Sequence, residues 1–252
     1  MGRDALMVVY GINAVIEALR AGRVQSLRVS GRHDDRLRAL LDEAAARGID
    51  VRQVPRDALD RQARGAVHQG VVADVEAAAE VTLEALARPA SQVPLIVVLD
   101  GVEDPQNVGA IIRTVDAAGA SGVVRQTRRA APLDGAAAKA SAGAVLHVPV
   151  ADVVNIARAV EELKELGVWT VGLDAESETP YYELDLTVPT ALVVGAEGHG
   201  LRRLVRERCD FVAAIPMAGH VASLNVSVAA GIVLFEAVRQ RKSGPPTRGS
   251  AA

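Results

Sequence analysis

The chain has 252 residues, a formal net charge of −3 and 50% hydrophobic residues, but only 2% of it is aromatic. This length predicts one large domain or two smaller ones, with enough buried surface to fold without disulfides or metals. The weakly acidic balance excludes a protein that binds nucleic acid through its overall charge, although a local basic patch stays compatible with it.

The single cysteine, Cys209, excludes an internal disulfide and favours a reducing compartment. No apolar run approaches the ~20 residues that a membrane-spanning helix needs. The first residues, MGRDALMVVYG, lack the pattern of a signal peptide. We therefore expect a cytoplasmic protein with no membrane anchor.

The first part of the chain alternates strand-like runs with helical segments. Strands are predicted at 8–10, 26–30, 51–54 and 71–73, and helices at 13–20, 35–47 and after Pro55. This alternation predicts a mainly parallel sheet covered by helices. We predict a small α/β domain over residues 1–77 and an Ala- and Glu-rich linker, with a helical turn or two, over 78–93.

The second part of the chain opens with LIVVLD, a continuous apolar run that is typical of a central parallel strand. Further strands are predicted at 122–125, 145–150, 168–173, 191–195 and 211–215, and helices at 108–118, 153–166, 201–206 and 223–239. We predict an α/β domain over 94–241 and a disordered basic tail, rich in Pro and Gly, over 242–252.

A first polar cluster, DPQNVGAIIRT, follows the opening strand of this domain, where ligand sites of α/β sheets form. Asn107 is predicted to cap the next helix, and Gly109 allows a backbone or a ligand to come close. Arg113 stands among apolar residues of the helix and needs an anionic partner. Taken alone, a cap and a surface arginine explain the cluster as well.

A second polar cluster, LVVGAEGHGL, carries a strand into three glycines with Glu197 between them. Glycines after a strand allow backbone groups to face a ligand closely. Their spacing matches neither a phosphate P-loop nor the dinucleotide fingerprint, which argues against a nucleotide-dependent oxidoreductase. Glu197 is a candidate partner of Arg113, and a plain glycine-rich turn is the alternative.

A third cluster, IPMAGHVASLNVSVAAGIVLFEAV, joins a strand to a polar turn and then to an apolar helix. Ser223 and Asn225 stand at the joint, where they are either helix caps or site residues. A helix that is apolar all round is expected to be buried on every side, in a core or an interface. A lone loop histidine such as His68 is expected at the surface, and no histidine spacing predicts a metal.

Together the three clusters resemble, in order and wording, the three motifs of the SpoU (TrmH-type) family of RNA 2′-O-ribose methyltransferases, over about residues 95 to 240. VYGINAVIEAL, HQGVVA and KASAGAVLHVPV resemble the branch that methylates a guanosine ribose in the peptidyl-transferase region of 23S ribosomal RNA. The resemblance covers nearly the whole chain, apart from the linker and the tail.

The resemblance implies an α/β domain with a C-terminal trefoil knot, preceded by a small RNA-binding domain similar to ribosomal protein L30e. It also implies a homodimer that binds S-adenosylmethionine and ribosomal RNA. By motif position, the expected cofactor contacts are Gly195, Ile215 and Leu224, and the expected catalytic residues are Asn107, Arg113, Glu197, Ser223 and Asn225. We expect Arg113 to stabilise the developing alkoxide and Glu197 to hold Arg113 in place.

Two alternatives stay open at this point. One is the same chemistry on another RNA, either a tRNA or a 23S site that gives antibiotic resistance. The other is a catalytically silent RNA-binding or assembly factor, against which the intact Arg113, Glu197 and Asn225 argue. The basic segments RQTRRA and RRLVRER are candidate RNA-facing patches, although a solvated face is the commoner role of such clusters.

Overall fold

The computed structural model describes residues 6–31, 35–128 and 130–243. The described chain divides into two compact units that do not follow chain order. The first unit comprises Met1–Ala79, Val108–Arg113 and Pro132–His147, and the second comprises Glu80–Asn107, Thr114–Ala131 and Val148–Ala252. The domain boundaries that we predicted from the sequence stay predictions.

The first seven elements belong to the first unit. They are β1 (Leu6–Tyr10), α1 (Ile12–Arg20), β2 (Val24–Val29), α2 (Asp35–Ala46), β3 (Asp50–Gln53), α3 (Arg56–Gln62) and β4 (Val71–Glu76). The four strands form one sheet in the order β1-β4-β2-β3. A small core of Tyr10, Leu59, Ala63 and Val72 lies between this sheet and α3.

The prediction of a mainly parallel sheet is wrong for the first unit. Only β2 and β3 pair in parallel, whereas β4 runs antiparallel to both β1 and β2. The cause is the point at which the chain enters β4. The N–H of Ser30 donates to the carbonyl of Gly70 at 3.0 Å, so β4 starts beside the carboxyl end of β2 and must run back along it.

The later elements are α4 (Leu83–Ala87), β5 (Leu95–Asp100), α5 (Pro105–Ala118), β6 (Gly122–Gln126), α6 (Gly135–Ala140), β7 (Val150–Val153), α7 (Ile156–Glu165), β8 (Trp169–Leu173), β9 (Thr190–Gly195), α8 (Arg203–Arg208), β10 (Phe211–Ala213) and α9 (Val226–Ser243). The six strands form a sheet in the order β10-β8-β9-β5-β6-β7, and every pair in it is parallel. The predicted parallel sheet is thus confirmed for the second unit, where all six residues of β5 are buried.

Two boundaries in the second half of the chain differ from the prediction. The strand predicted at 145–150 is wrong, because Ala144–Leu146 is a 3₁₀ turn and β7 begins only at Val150. Pro149 has no N–H to give to a sheet, and only its carbonyl takes part, accepting from Val123 at 2.9 Å. The closing helix begins at Val226 and runs to Ser243, and residues 244–252 of the predicted tail lie outside the described residues.

Within a single chain, α9 is buried on one face only, so its burial on every side, in a core or an interface, stays a prediction. One face packs inward through Val226, Ala230, Val233, Leu234 and Ala237. The side chains of Val228 and Phe235 are about half exposed. In the part of the chain that the structure describes, no helix has the length and apolarity that a membrane crossing requires.

The carboxyl end of α9 is fastened by two polar side chains. The buried amide of Gln240 donates to the carbonyl of Leu184 at 3.1 Å and accepts from the N–H of Leu186 at 2.9 Å. The guanidinium of Arg241 donates to carbonyls at 2.6 to 3.0 Å, those of Val93, Pro94, Leu186 and Val188. Burial lowers the pKa of Arg241, and the four carbonyl dipoles offset the cost of burying its charge.

We expect Arg241→Ala to lower the free energy of unfolding by about 2–4 kcal/mol, because four carbonyls lose a charged donor. Urea unfolding followed by circular dichroism measures the change. Arg239→Ala is the matched control, since Arg239 is exposed and, among the described residues, pairs only with Glu236 one turn away. An equal loss of stability in both variants would contradict the anchoring role of Arg241.

Candidate functional site

Helix α5 starts at an Asp-Pro step that frees Asn107 for another role. The carboxylate of Asp104 accepts from the N–H of Gln106 at 3.2 Å and of Asn107 at 3.3 Å, and Pro105 occupies the first helical position. The prediction that Asn107 caps this helix is therefore wrong. Asp is a strong cap, and the fixed φ of Pro suits the first helical position, so the helix begins three residues earlier.

Three of the predicted site residues form a ring of hydrogen bonds. The amide of Asn107 donates to Oε2 of Glu197 at 3.2 Å. Nδ2 of Asn225 donates to Oδ1 of Asn107 and to Oε1 of Glu197, both at 2.9 Å. The structure thus joins all three motifs in this ring, although Asn107 and Asn225 are 118 residues apart in sequence.

Asn225 also caps the closing helix. Its Oδ1 accepts from the backbone N–H of Ser227 at 2.9 Å and from the hydroxyl of the same residue at 2.6 Å. Because Oδ1 is committed to the helix start, Nδ2 is the atom that faces Asn107 and Glu197. The capping role that the sequence left open for Asn225 is therefore confirmed, and its role as a site residue stays a prediction.

Glu197 is carried by a loop that folds tightly back on β9. A Cβ added to Gly195 would lie 2.1 Å from the carbonyl carbon and oxygen of Gly200, so only glycine fits there. Gly198 and Gly200 have φ values of 77° and 62°, in the left-handed region. The glycines of this motif thus allow the tight backbone path of the loop that carries Glu197.

Gly109 serves a close approach of two helices within the first unit. A Cβ at Gly109 would lie 2.6 Å from the carbonyl oxygen of Ala137 and from Cβ of Ala140, both on α6. Of the two partners that the sequence left open, a backbone or a ligand, the backbone of α6 takes this space.

The side chain of Arg113 is exposed and makes no hydrogen bond or ion pair with any residue in the described ranges. It follows Asn107 by six residues, which is about 240° around a helix, so the two side chains leave α5 in different directions. Both oxygens of Glu197 are engaged by amides instead. The pairing of Glu197 with Arg113 therefore stays a prediction, and Arg113 offers a charge that is available to an anion.

The remaining predicted residues lie on the segment between β10 and α9. Ile215 and Leu224 are half-buried, and Ser223 is exposed. Within the described ranges, residues 215–224 make no hydrogen bond, whether through backbone or side chain. Free backbone donors and acceptors beside half-buried apolar side chains fit a cofactor held largely through the backbone.

His68 and Cys209 were also weighed from the sequence. His68 was expected at the surface but is only 5% exposed. Its Nδ1 accepts from the N–H of Gly70 at 3.0 Å and its Nε2 lies 3.0 Å from Asp60, so its role is to hold the loop.

Burial raises the pKa of the Cys209 thiol to about 12, so it is no nucleophile at neutral pH. Among the described residues, no cluster of three or more His, Cys, Asp or Glu side chains is placed to hold a metal.

One polar contact was missed from the sequence. Asp100, at the end of β5, is fully buried and bonds to the backbone and guanidinium of Arg202. The available signal was an acidic residue that closes an otherwise apolar strand, a position where burial demands a partner.

Two family models and several curated proteins match this chain. Residues 94–235 match the SpoU rRNA Methylase family, and residues 8–81 match the family described as RNA 2′-O ribose methyltransferase substrate binding. The 23S rRNA (guanosine-2′-O-)-methyltransferase RlmB of Pseudomonas aeruginosa is 48% identical over 239 residues, 92% of this chain and 96% of that protein. The RlmB of Vibrio cholerae is 44% identical over 243 residues, 96% of this chain and 98% of that protein.

A solved structure shares the fold. The SpoU methyltransferase AviRb from Streptomyces viridochromogenes, in complex with the cofactor AdoMet, superposes with a TM-score of 0.77 at 31% sequence identity, over 94% of this chain and 91% of that one. The family matches, the identities and this shared fold lead to one conclusion: the chain belongs to the SpoU rRNA methylase family.

Proposed function

We propose that this protein transfers a methyl group from S-adenosylmethionine to the 2′-hydroxyl of a guanosine ribose in 23S ribosomal RNA, in the cytoplasm. The observation that carries the proposal is the ring of Asn107, Glu197 and Asn225, which joins the three motifs. The 23S guanosine methyltransferases of P. aeruginosa and V. cholerae, similar over more than nine-tenths of both chains, support the choice of RNA.

The cofactor would lie against the carboxyl ends of β9 and β10. Gly195 ends β9, Ile215 follows β10, and Leu224 precedes the helix cap, so all three belong to segments at the strand ends. The unbonded backbone of residues 215–224 supports this placement. When bound, S-adenosylmethionine supplies a sulfonium methyl group for in-line transfer.

The residues of the chain would position the ribose and stabilise charge. A ribose hydroxyl is a weak acid, so the oxygen needs electrostatic help as it attacks and loses its proton. Arg113 would supply it as a fixed positive charge, since a guanidinium with a pKa above about 12 is a poor base. Asn107, Asn225 and Ser223 would orient the acceptor ribose, and the base is left unassigned.

We also propose that two copies of the chain associate through α9. Val228 and Phe235 are 48% and 49% exposed, and the half-buried Ile232 lies between them on the same stripe. Residues at this seven-residue spacing share one helix face, and an exposed apolar stripe favours an interface. A second copy of the same helix is the partner that a twofold axis supplies.

We also propose that the chain carries a C-terminal trefoil knot and an N-terminal RNA-binding domain. The strand order β10-β8-β9, with α9 packed against β9, is compatible with the C-terminal trefoil knot that the resemblance implies. The match of residues 8–81 to a substrate-binding family supports a role of the N-terminal region in holding RNA.

We expect the protein to methylate 23S ribosomal RNA from labelled S-adenosylmethionine, and Arg113→Ala to reduce kcat by about 10²- to 10³-fold. Melting temperature should not change, because Arg113 is exposed and unpaired within the described residues. Arg158→Ala removes another exposed arginine and serves as the control. Near wild-type turnover in Arg113→Ala would overturn the proposed role of Arg113. If the wild-type protein transfers no methyl group to any RNA, the alternative of a catalytically silent RNA-binding factor is favoured.

The two roles of Asn225 are separable by a pair of variants. Ser caps helices as well as Asn does, so Asn225→Ser keeps the cap but loses the donor to Asn107 and Glu197, whereas Asn225→Ala loses both. We expect methyl transfer to fall to a similar low level in both variants. Asn225→Ala should also be less stable than Asn225→Ser, by about 1 kcal/mol in urea unfolding. Full activity in Asn225→Ser would show that Asn225 acts only as a cap.

Phe235→Glu should weaken self-association by about 30-fold or more, the size expected of a central aromatic anchor. Light scattering coupled to size-exclusion chromatography across micromolar concentrations measures the mass. Val154→Glu makes the same kind of change at a residue that is 75% exposed outside α9, and should leave the mass unchanged. A wild-type mass of one chain under these conditions would exclude the dimer.

A further inference from the structure

The second unit contains a cavity of about 380 Å³ at the carboxyl ends of β5 and β6. Three segments supply its charged and amide side chains. They are Glu103 in the loop after β5, Arg125 and Gln126 at the end of β6, Arg128 in the loop beyond it, and Arg202 just before α8. The volume falls within the ~300–1,000 Å³ range that is usual for ligand pockets. The two basic segments singled out from the sequence thus meet at one cavity.

Arg202 is held rigidly at the wall of this cavity. The carboxylate of Asp100, which is 0% exposed, accepts from the backbone N–H of Arg202 at 2.8 Å and from its Nε at 2.6 Å. Nη2 lies 2.5 Å from the same carboxylate and donates to the Gln126 side chain at 3.1 Å. Nη1 makes no hydrogen bond with a described residue, and the side chain is 53% exposed. One edge of the guanidinium is fixed, and the other is available.

The other two arginines of the lining, Arg125 and Arg128, differ in how many of their hydrogen-bond donors are already bonded. Arg125 is bidentate to Asp152 at 2.8 and 3.3 Å, and its third nitrogen donates to the carbonyl of Ala131 at 2.6 Å. Arg125 is therefore a satisfied part of the wall. Arg128 is exposed and has no hydrogen bond or ion pair within the described ranges. The charge of Arg128 is opposed in the lining by the carboxylate of Glu103, and it is available to a ligand together with the free edge of Arg202.

The cavity adjoins the ring of Asn107, Glu197 and Asn225. The loop that carries Glu197 ends at Arg202, and the loop that starts at Gly101 leads into α5 and Asn107. The two loops touch, because a Cβ at Gly101 would lie 3.7 Å from Cβ of Ala196. A ligand in the cavity would therefore lie beside whatever the ring holds.

We propose that this cavity binds a backbone phosphate of the RNA substrate, adjacent to the ribose that is methylated, between Arg128 and the free edge of Arg202. Guanidinium groups fit phosphate oxygens, and phosphate contacts set the register of a nucleic acid on a protein. Buried Asp100 fixes Arg202 in advance, so little side-chain freedom is lost on binding. This inference rests on the proposed function, since it takes RNA as the ligand.

The test measures the affinity of the full-length protein for a fluorescein-labelled fragment of 23S ribosomal RNA from the peptidyl-transferase region, across a series of salt concentrations. We expect Arg128→Ala to weaken binding about tenfold and to reduce the slope of log affinity against log salt by about 1. Arg128→Lys should restore most of the slope. Arg158→Ala, on α7 and outside the cavity, should change neither quantity.

Glu103→Gln separates a phosphate from a base. If a phosphate occupies the cavity, removal of this carboxylate should strengthen RNA binding, because one repulsive charge is lost. Weaker binding in Glu103→Gln, together with an unchanged salt slope in Arg128→Ala, would mean that the cavity contacts a base and would overturn the proposal.

The outcomes also separate this inference from the proposed function. Methyl transfer by the wild-type protein tests the function and does not involve the variants. If the wild-type protein methylates the RNA while Arg128→Ala binds it with the affinity and salt slope of Arg158→Ala, the phosphate site is wrong and the function stands. Because binding requires no turnover, the comparison of slopes decides the phosphate site even if no methyl group is transferred.

Discussion

The carboxylate of Glu197 organises the candidate site, because it accepts from amides on two distant segments at once. Asn107 reaches it from the first turn of α5 and Asn225 from the start of α9, while a third hydrogen bond joins the two amides directly. Each member of the ring restrains the other two, so the three motifs cannot move independently. The loop path that only glycine permits at position 195 is what presents Glu197 to both amides.

The all-parallel sheet makes this arrangement possible. In parallel strands all carboxyl ends meet at one edge, and the segments after β5, β9 and β10 carry Asn107, Glu197 and Asn225 in turn. The same edge also holds the cavity beyond β5 and β6. A single topological rule thus brings together residues from three separate motifs.

Much of this could be predicted from the sequence, for reasons that differ between the two units. Continuous apolar runs such as LIVVLD indicate buried parallel strands, and the sheet of the second unit follows from them. In the first unit, the alternation of strands and helices does not reveal the direction of β4. That direction depends on which end of β2 the loop before β4 reaches. Asn107 can cap a helix, but the stronger Asp104-Pro105 start three residues earlier takes that role in the structure.

The hydrogen bonds of the site could not be predicted in the same way. The sequence motifs grouped Asn107, Glu197 and Asn225, but which atoms meet depends on the backbone path. Charge and the resemblance suggested an ion pair between Glu197 and Arg113; in the structure amides take both carboxylate oxygens, and that pairing stays a prediction. The side-chain amide of Asn225 both caps a helix through Oδ1 and joins the ring through Nδ2, and the backbone path decides which atom faces which partner.

The anchoring of α9 by Arg241 has a consequence for the order of folding. Its guanidinium bonds to the carbonyls of Val93 and Pro94, which immediately precede the first strand of the six-stranded sheet. The last described helix to leave the ribosome therefore closes a loop of nearly 150 residues onto the segment that opens this sheet. Contacts of such high sequence separation form slowly. Because α9 follows β10 in the chain, all six strands of the sheet are synthesised before α9 can dock and Arg241 can reach Val93 and Pro94.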